Sequence, residues 1–339
     1  MRMQAFYFSK VAMRSLLTFS SVLIFGLASC GDSSLTRTLP NVSGSAGDVM
    51  VVTDKALWDG AAGKALREEV APVLIGLPQP EPAFDLQPVN PAGFRDILVS
   101  HRNIILAAID GSRGEPTVTY ERNRWAETQL VIRITAPDST AMAACISKNA
   151  EAIRQHINDA ERERLTAWLT ESAGRERSIV RSGNNTYEII MPAGYRTDYT
   201  REGLMIISAE TQATTQSVIV SVGERMSARI GCIELADLTE KVISAAIKGP
   251  DGGSFMVIEK QTTVSCRSFR RNDTDYIEMR GLWTLEGGFM GGPFISCAFI
   301  DPETSRPVIV TGFVYAPREE KRELLRQVEA LMYTVRKTS

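Results

Sequence analysis

The sequence predicts an α+β protein of mostly antiparallel sheets with packed amphipathic helices, arranged in two lobes. Three observations predict it. Apolar runs of strand length recur through the chain, with few helical patterns between them. Each half ends on a helical pattern with an apolar stripe. Residues 172–184, SAGRERSIVRSGN, are small and charged and separate the halves. The 339 residues are 44% hydrophobic and 23% charged, which excludes a disordered chain or a small disulfide scaffold. A formal charge of −2 leaves no excess of Lys and Arg to displace counterions, so no nucleic-acid partner is expected.

Val49–Val52 is a short apolar run closed by Asp54 and reads as a buried strand. Helical spacing runs from Lys55 to about Leu74, with Pro72 near its end. Residues 78–93 hold five prolines, a density that reads as a loop or an edge crossing. Asn103–Ile109 and Leu130–Ile134 are the next strands. Pro137-Asp138-Ser139 opens a long helical pattern from Met142 to Leu169. That length implies a connector between halves or two helices with a bend. The second half is strand-rich, interrupted by a helix near Leu235–Ile247 and closed by one that starts at Pro317, with a stripe of Leu324, Val328, Leu331, Met332 and Val335.

The start of the chain reads as an address. Arg2, Lys10 and Arg14 precede the uncharged stretch Leu16–Leu27, which is too short for a membrane span. Leu27-Ala28-Ser29-Cys30 then has the form of a bacterial lipobox. The expected organisation is a lipoprotein signal peptide over 1–29 and a lipidated Cys30 with a flexible tether over 30–47. An N-terminal α+β lobe over 48–172 and a C-terminal α+β lobe over 185–339 follow. Cleavage leaves 35 Lys and Arg against 40 Asp and Glu. The acylated Cys30 makes the lipid bilayer a partner, because two or three acyl chains anchor where one does not. The expected location is the cell envelope, lipid-anchored at the outer membrane and facing the periplasm.

Groups for chemistry are scarce. There are two histidines, His101 and His156, and no HExxH or CxxC, so neither a metal site nor a cofactor is expected. No G-x-S-x-G or phosphate loop occurs; the glycines between Gly281 and Gly292 lack the Lys-Ser/Thr a phosphate loop needs. Glu234, Asp237 and Glu240 cluster at a helix start, where the dipole alone favours acids. Cys145, Cys232, Cys266 and Cys297 allow three full pairings; Cys266 and Cys297 read either as cross-strand neighbours or as buried free thiols. Trp125, Gln129, Trp283, Gly291, Gly292, Pro293 and Tyr315 are the candidate binding surface, with turn formation and core packing as the structural reading beside it.

The lipobox, Trp125-Ala126-x-x-Gln129 and the block from Met290-Gly291-Gly292-Pro293-Phe294 through Gly312-Phe313-Val314-Tyr315-Ala316-Pro317 resemble an uncharacterised family of Bacteroidota lipoproteins, a domain of unknown function. That resemblance implies no catalytic residue. Glu188–Tyr195, followed by strands and a closing helix, resembles the start of photosystem-P-subunit-like sandwich domains, which implies binding or assembly. The expected function is therefore a non-enzymatic envelope module that binds an envelope protein or glycan. A hydrolase using a carboxylate pair on glycan or peptide is the alternative.

Overall fold

A computed structural model describes residues 38–338 apart from 227, 228, 251 and 272. The signal peptide expected over residues 1–29 and the lipidation expected at Cys30 fall outside the described residues. Residues 39–339 form one compact unit.

The N-terminal lobe is a five-stranded sheet. Its strands are β1 (Asp48–Val52), β2 (Asp85–Val89), β3 (Asn103–Ile109), β4 (Thr117–Arg122) and β5 (Leu130–Ala136), in the order β2-β1-β3-β5-β4. β1, β2, β3 and β5 are parallel, and only β4 runs antiparallel. This lobe departs from the antiparallel expectation because a helical segment crosses from β1 to β2. That segment consists of α1 (Lys55–Asp59), α2 (Ala61–Ala65) and a wide turn over Leu66–Val70. The proline-rich stretch does contain a strand, and Pro88 is tolerated there because β2 pairs on one side only.

The long helical pattern is one helix. α3 (Ser139–Ala173) is 35 residues, about 52 Å long. Asp138 caps it by accepting from Ala141 N at 2.8 Å, and Gly174 ends it with φ +52°. Its first half packs Met142, Ile146, Ile153 and Ile157 on the N-terminal sheet, and Leu169 and Ala173 join the core of the other lobe. One element thus belongs to both cores, which makes the connector reading correct.

The C-terminal lobe has two antiparallel sheets. β7 (Asn185–Ile190) lies between β6 (Arg177–Ser182) and the last strand, Arg336–Thr338, and pairs with both. The large sheet takes β8 (Arg196–Arg201), β9 (Leu204–Glu210), β10 (Thr215–Val222), β11 (Phe255–Ile258), β12 (Ser265–Arg271), β13 (Thr274–Glu286), β14 (Gly291–Asp301) and β15 (Arg306–Tyr315). Its central strands bury both faces, whereas β8 is exposed throughout and β12 largely so. In β10, Val218 and Val220 face the side of α5 (Arg322–Met332), while Ile219 joins the core under α4 (Cys232–Ala246). The period of two divides each apolar run between two cores, which explains why these strands read as continuous hydrophobic stretches.

Two expectations need correction. Residues 41–47 are not free tether: Ser43 N donates to Ser100 O at 2.9 Å, Arg102 N to Ser43 O at 3.0 Å and Glu127 N to Pro40 O at 2.8 Å. The segment is held because loops of the N-terminal lobe offer it unpaired backbone groups. Cys266 and Cys297 are not cross-strand neighbours, since β13 lies between their strands. Cys266 instead bonds Cys232 at the start of α4, with Cα atoms 6.0 Å apart, and Cys145 and Cys297 are buried free thiols.

Candidate functional site

The residues of the expected binding surface fall at two separate places, and most of them hold the fold together. Gln129 is fully buried; its Oε1 accepts from Trp125 N at 2.9 Å and its Nε2 donates to Val99 O and His101 O at 2.7 and 2.8 Å. Trp125 is half-buried against Phe94. Trp283 is buried in the other lobe, where Nε1 donates to Val314 O at 3.2 Å and the ring meets Phe313 edge-on, with half-buried Tyr315 nearby. Gly292 lies under that ring, and a Cβ there would overlap Val314 O. Pro293 is buried beside it, while Gly291 is exposed at the end of the hairpin. Trp125 and Gln129 thus lie in one lobe and the other five in the second. His101 is buried with Nδ1 3.1 Å from Asn103 O, and burial lowers its pKa. Exposed His156 stacks on Tyr120. Glu234 accepts from Gly231 N at 3.1 Å as a helix-start acid.

A cleft of about 490 Å³ opens elsewhere, between the lobes. Its walls are the loop 72–83, the middle of α3, β12 with β13, and α5. The loop reaches the second lobe at Gly76, whose φ is +86° and where a Cβ would stand 3.2 Å from Gly281 N; two glycines let the backbones meet. Glu81 on the same loop is buried and caps α5: its carboxylate accepts from Lys321 N at 2.9 Å and Arg322 N at 2.9 Å. Arg322 then donates to Pro82 O at 2.8 Å and pairs with Asp85 at 2.5 Å. Glu81→Ala should cost about 2–3 kcal/mol, since it strips charge-assisted bonds from a buried helix start. A thermal melt of the variant checks this, and an unchanged midpoint would contradict the latch.

The cleft is floored by three arginines that share two carboxylates. Glu278 on β13 accepts from Arg267 Nε at 2.8 Å, Arg280 Nε at 2.9 Å and Tyr333 Oη at 2.8 Å. Glu329 on α5 accepts from Arg280 Nη2 at 2.8 Å, and Arg162 of α3 approaches it at 3.5 Å. The carboxylate side chains are 1% and 10% exposed, whereas Arg267, Arg162 and Arg280 are 48%, 29% and 29% exposed. On this floor the two carboxylates lie beneath and the guanidinium groups face the opening, while on the α3 wall the exposed carboxylates of Asp159 and Glu151 pair with Arg162 and Arg154. Burial alone would raise the Glu278 carboxyl, but Arg280 and Arg267 hold it down to about 2. The same carboxylates raise the pKa of Arg280 against its desolvation. Opposite this floor the rim is apolar, with exposed Val73 and Ile75.

None of these residues was singled out from the sequence. A signal existed: Glu278 and Arg280 alternate with Ile277 and Met279 on a strand, so one face of β13 is charged and the other apolar. A second, more open depression of about 580 Å³ by Phe269 and Phe299 sets Arg229 against Asp273 and Asp275 and has no such excess of cations. Among the described residues no group of three His, Cys, Asp or Glu stands close enough to hold a metal ion, and no helix is long and apolar enough to cross a membrane.

Comparison with solved structures finds low-scoring likenesses, among them two to proteins of other organisms. The Ran-binding protein Mog1p of Saccharomyces cerevisiae is 12% identical, with a TM-score of 0.31 over 48% of this chain and 95% of that one. LpqN of Mycobacterium tuberculosis, described as involved in cell envelope biogenesis, is 11% identical, with a TM-score of 0.29 over 48% of this chain and 91% of that one. No curated protein matches. Residues 42–170 match Domain of unknown function (DUF8532), and residues 180–334 match Domain of unknown function (DUF4837). The first match runs from just before β1 into α3 and the second from within β6 to just beyond α5, so the chain is similar to two domains of unknown function in succession.

Proposed function

We propose that this chain is a cell-envelope lipoprotein, anchored through Cys30, whose interlobe cleft binds an anionic group of an envelope glycan or protein without transforming it. The observation that carries the binding reading is the charge count on the cleft floor: three guanidinium groups over two carboxylates, with the cations outermost. Guanidinium forks suit carboxylate and phosphate oxygens, and a partly enclosed cleft strengthens each contact. The Cys232–Cys266 bond agrees with an oxidising compartment outside the cytoplasm.

The hydrolase alternative needs one carboxyl that stays protonated near neutral pH to act as the acid. Among the described residues each resolved carboxyl shift is downward, at Asp110, Glu121, Glu151, Glu161, Glu278 and Asp301. Glu278 and Glu329 are bridged by Arg280 and do not face each other across free space. That favours binding.

Calorimetric titration with inorganic phosphate, with an acidic peptide and with anionic peptidoglycan fragments tests the reading. At least one should bind, and Arg162→Glu should weaken it by about ten-fold or more, because a cation at the opening becomes an anion. Silence from all three probes would sink the binding site. Turnover of the peptidoglycan fragments would transfer support to the hydrolase.

A further inference from the structure

The chain enters its folded body beside loops from which Ile97 projects into solvent among charged neighbours. Pro40 and Ser43 are bonded to Glu127, Ser100 and Arg102, so the loops over 94–102 and 123–128 hold the first paired residues. Ten residues separate Cys30 from Pro40, a reach of at most about 33–36 Å. Any acyl chains on Cys30 therefore lie within that distance of these loops, which is less than the length of α3.

The same loops cover one face of the N-terminal sheet. Met50, Val52, Ile104 and Val131 are buried beneath Phe94, Leu98 and Trp125. This cover is one layer thick, and Ile97 stands out of it at 72% exposure. Asp96, just before it, has φ +56°, a left-handed conformation uncommon outside glycine. Phe94 and Trp125 meet edge-on at 5.6 Å, and Arg124 lies 4.6 Å above the Trp125 ring. An indole flanked by a guanidinium and a protruding aliphatic side chain is the residue set that settles at a membrane interface. The charges nearly cancel: Arg95 is 3.8 Å from Asp96, Arg124 pairs with Glu121, and Glu127 is exposed. Attraction to anionic lipid is thus not what would hold this face.

We infer that this face, with Ile97 at its tip, sits on the surface of the bilayer that holds the acyl chains of Cys30. The inference rests on the proposed acylation and adds an orientation to it: the N-terminal lobe is a second point of membrane contact.

The test uses the full acylated chain in phosphatidylethanolamine vesicles, with and without phosphatidylglycerol, carrying an environment-sensitive fluorophore on Ile97→Cys. Cys145 and Cys297 are buried and Cys232 is bonded to Cys266, so the introduced thiol is the reactive one once Cys30 is acylated. Ile97 is exposed, so the substitution spares the core. The expected result is a blue shift with emission rising about two-fold, equal in both lipid mixtures, as the probe enters the headgroup boundary. The control is the same probe on Phe289→Cys, a 98% exposed position at the tip of the β13–β14 hairpin, which should read as in water. Mass spectrometry of the same sample reports on Cys30. A bare Cys30 overturns the anchor and this inference together. Acylated, vesicle-bound protein with a probe at 97 still in water overturns this inference alone. So does a shift confined to anionic vesicles, or one seen at 289 in place of 97.

Discussion

Glu161→Ala should destabilise the protein by about 3–5 kcal/mol, because it strands two nearly buried cations. The Glu161 side chain is 1% exposed and accepts from Arg102 Nη2 at 2.6 Å, Arg164 Nη2 at 2.9 Å and Asn103 Nδ2 at 2.6 Å. Those partners carry the tension across the N-terminal lobe. Arg164 also donates to Thr128 O at 2.6 Å and Asn103 Oδ1 at 2.7 Å, and Arg102 reaches Gly44 O at 3.3 Å. Burial alone would raise the Glu161 carboxyl, and the charges of Arg164 and Arg102 overcome it. Its contribution is present above the unfolded carboxylate pKa and is lost as pH falls through the lower folded value. Urea unfolding should show a fall in midpoint at unchanged slope. Replacing Glu161 and Arg164 together by Met should recover only part of the loss, because a missing partner costs more than a missing pair but Arg102 stays without its carboxylate. A loss under about 0.5 kcal/mol in the single variant would mean that water already reaches the cluster.

Glu278→Gln should have an effect of similar size, with a pH signature of its own. A carboxyl held at about 2 in the folded protein, against an ordinary 4.5, contributes about 3 kcal/mol at neutral pH. The folded pKa is depressed, so the contribution is full above about pH 5 and disappears between 4.5 and 2. The Gln variant should therefore be weaker by about 3 kcal/mol at pH 7 and approach the parent near pH 2–3. Urea midpoints at several pH values for both proteins check this. A stability gap that stays constant with pH would show that packing, not charge, accounts for the loss. The variant also changes the cleft, since Arg267 and Arg280 lose the anion beneath them. Anion binding should strengthen in it, which separates this residue's role in folding from its role in the site.

Much of the architecture was legible. Val49–Val52, Asn103–Ile109 and, in the second half, Leu204–Glu210, Thr215–Val222 and Arg306–Tyr315 hold apolar runs that have no alternative to burial. The helix over 139–173 declares its face through Met142, Ile146, Ile153 and Ile157. Five strands escaped, among them Arg196–Arg201, Arg336–Thr338 and Arg177–Ser182, the last of which falls inside the stretch expected to separate the halves; apolar residues are few in all three. Thr117–Arg122 is an edge strand with no apolar run, and Asp85–Val89 contains the proline that argues against a strand anywhere except at an edge. The parallel order of the first sheet escaped as well, because crossover direction depends on where a helix packs and not on the strands it joins. The tryptophans and glycines of the expected surface illustrate a different limit. Trp283 and Gly292 stand out in a sequence because their shapes are demanding, and here that demand is met by the interior.

By itself the sequence determined the α+β class, the two halves and the long helical pattern between them, since each of these is a pattern of neighbours along the chain. Only the tertiary structure decided which residues form the cleft. Arg162, Arg267, Arg280, Glu278 and Glu329 come from three segments more than a hundred residues apart at the extremes, and each alone reads as an ordinary surface charge. A charge acquires a role when its neighbours and its access to water are known, and both are set by packing between lobes.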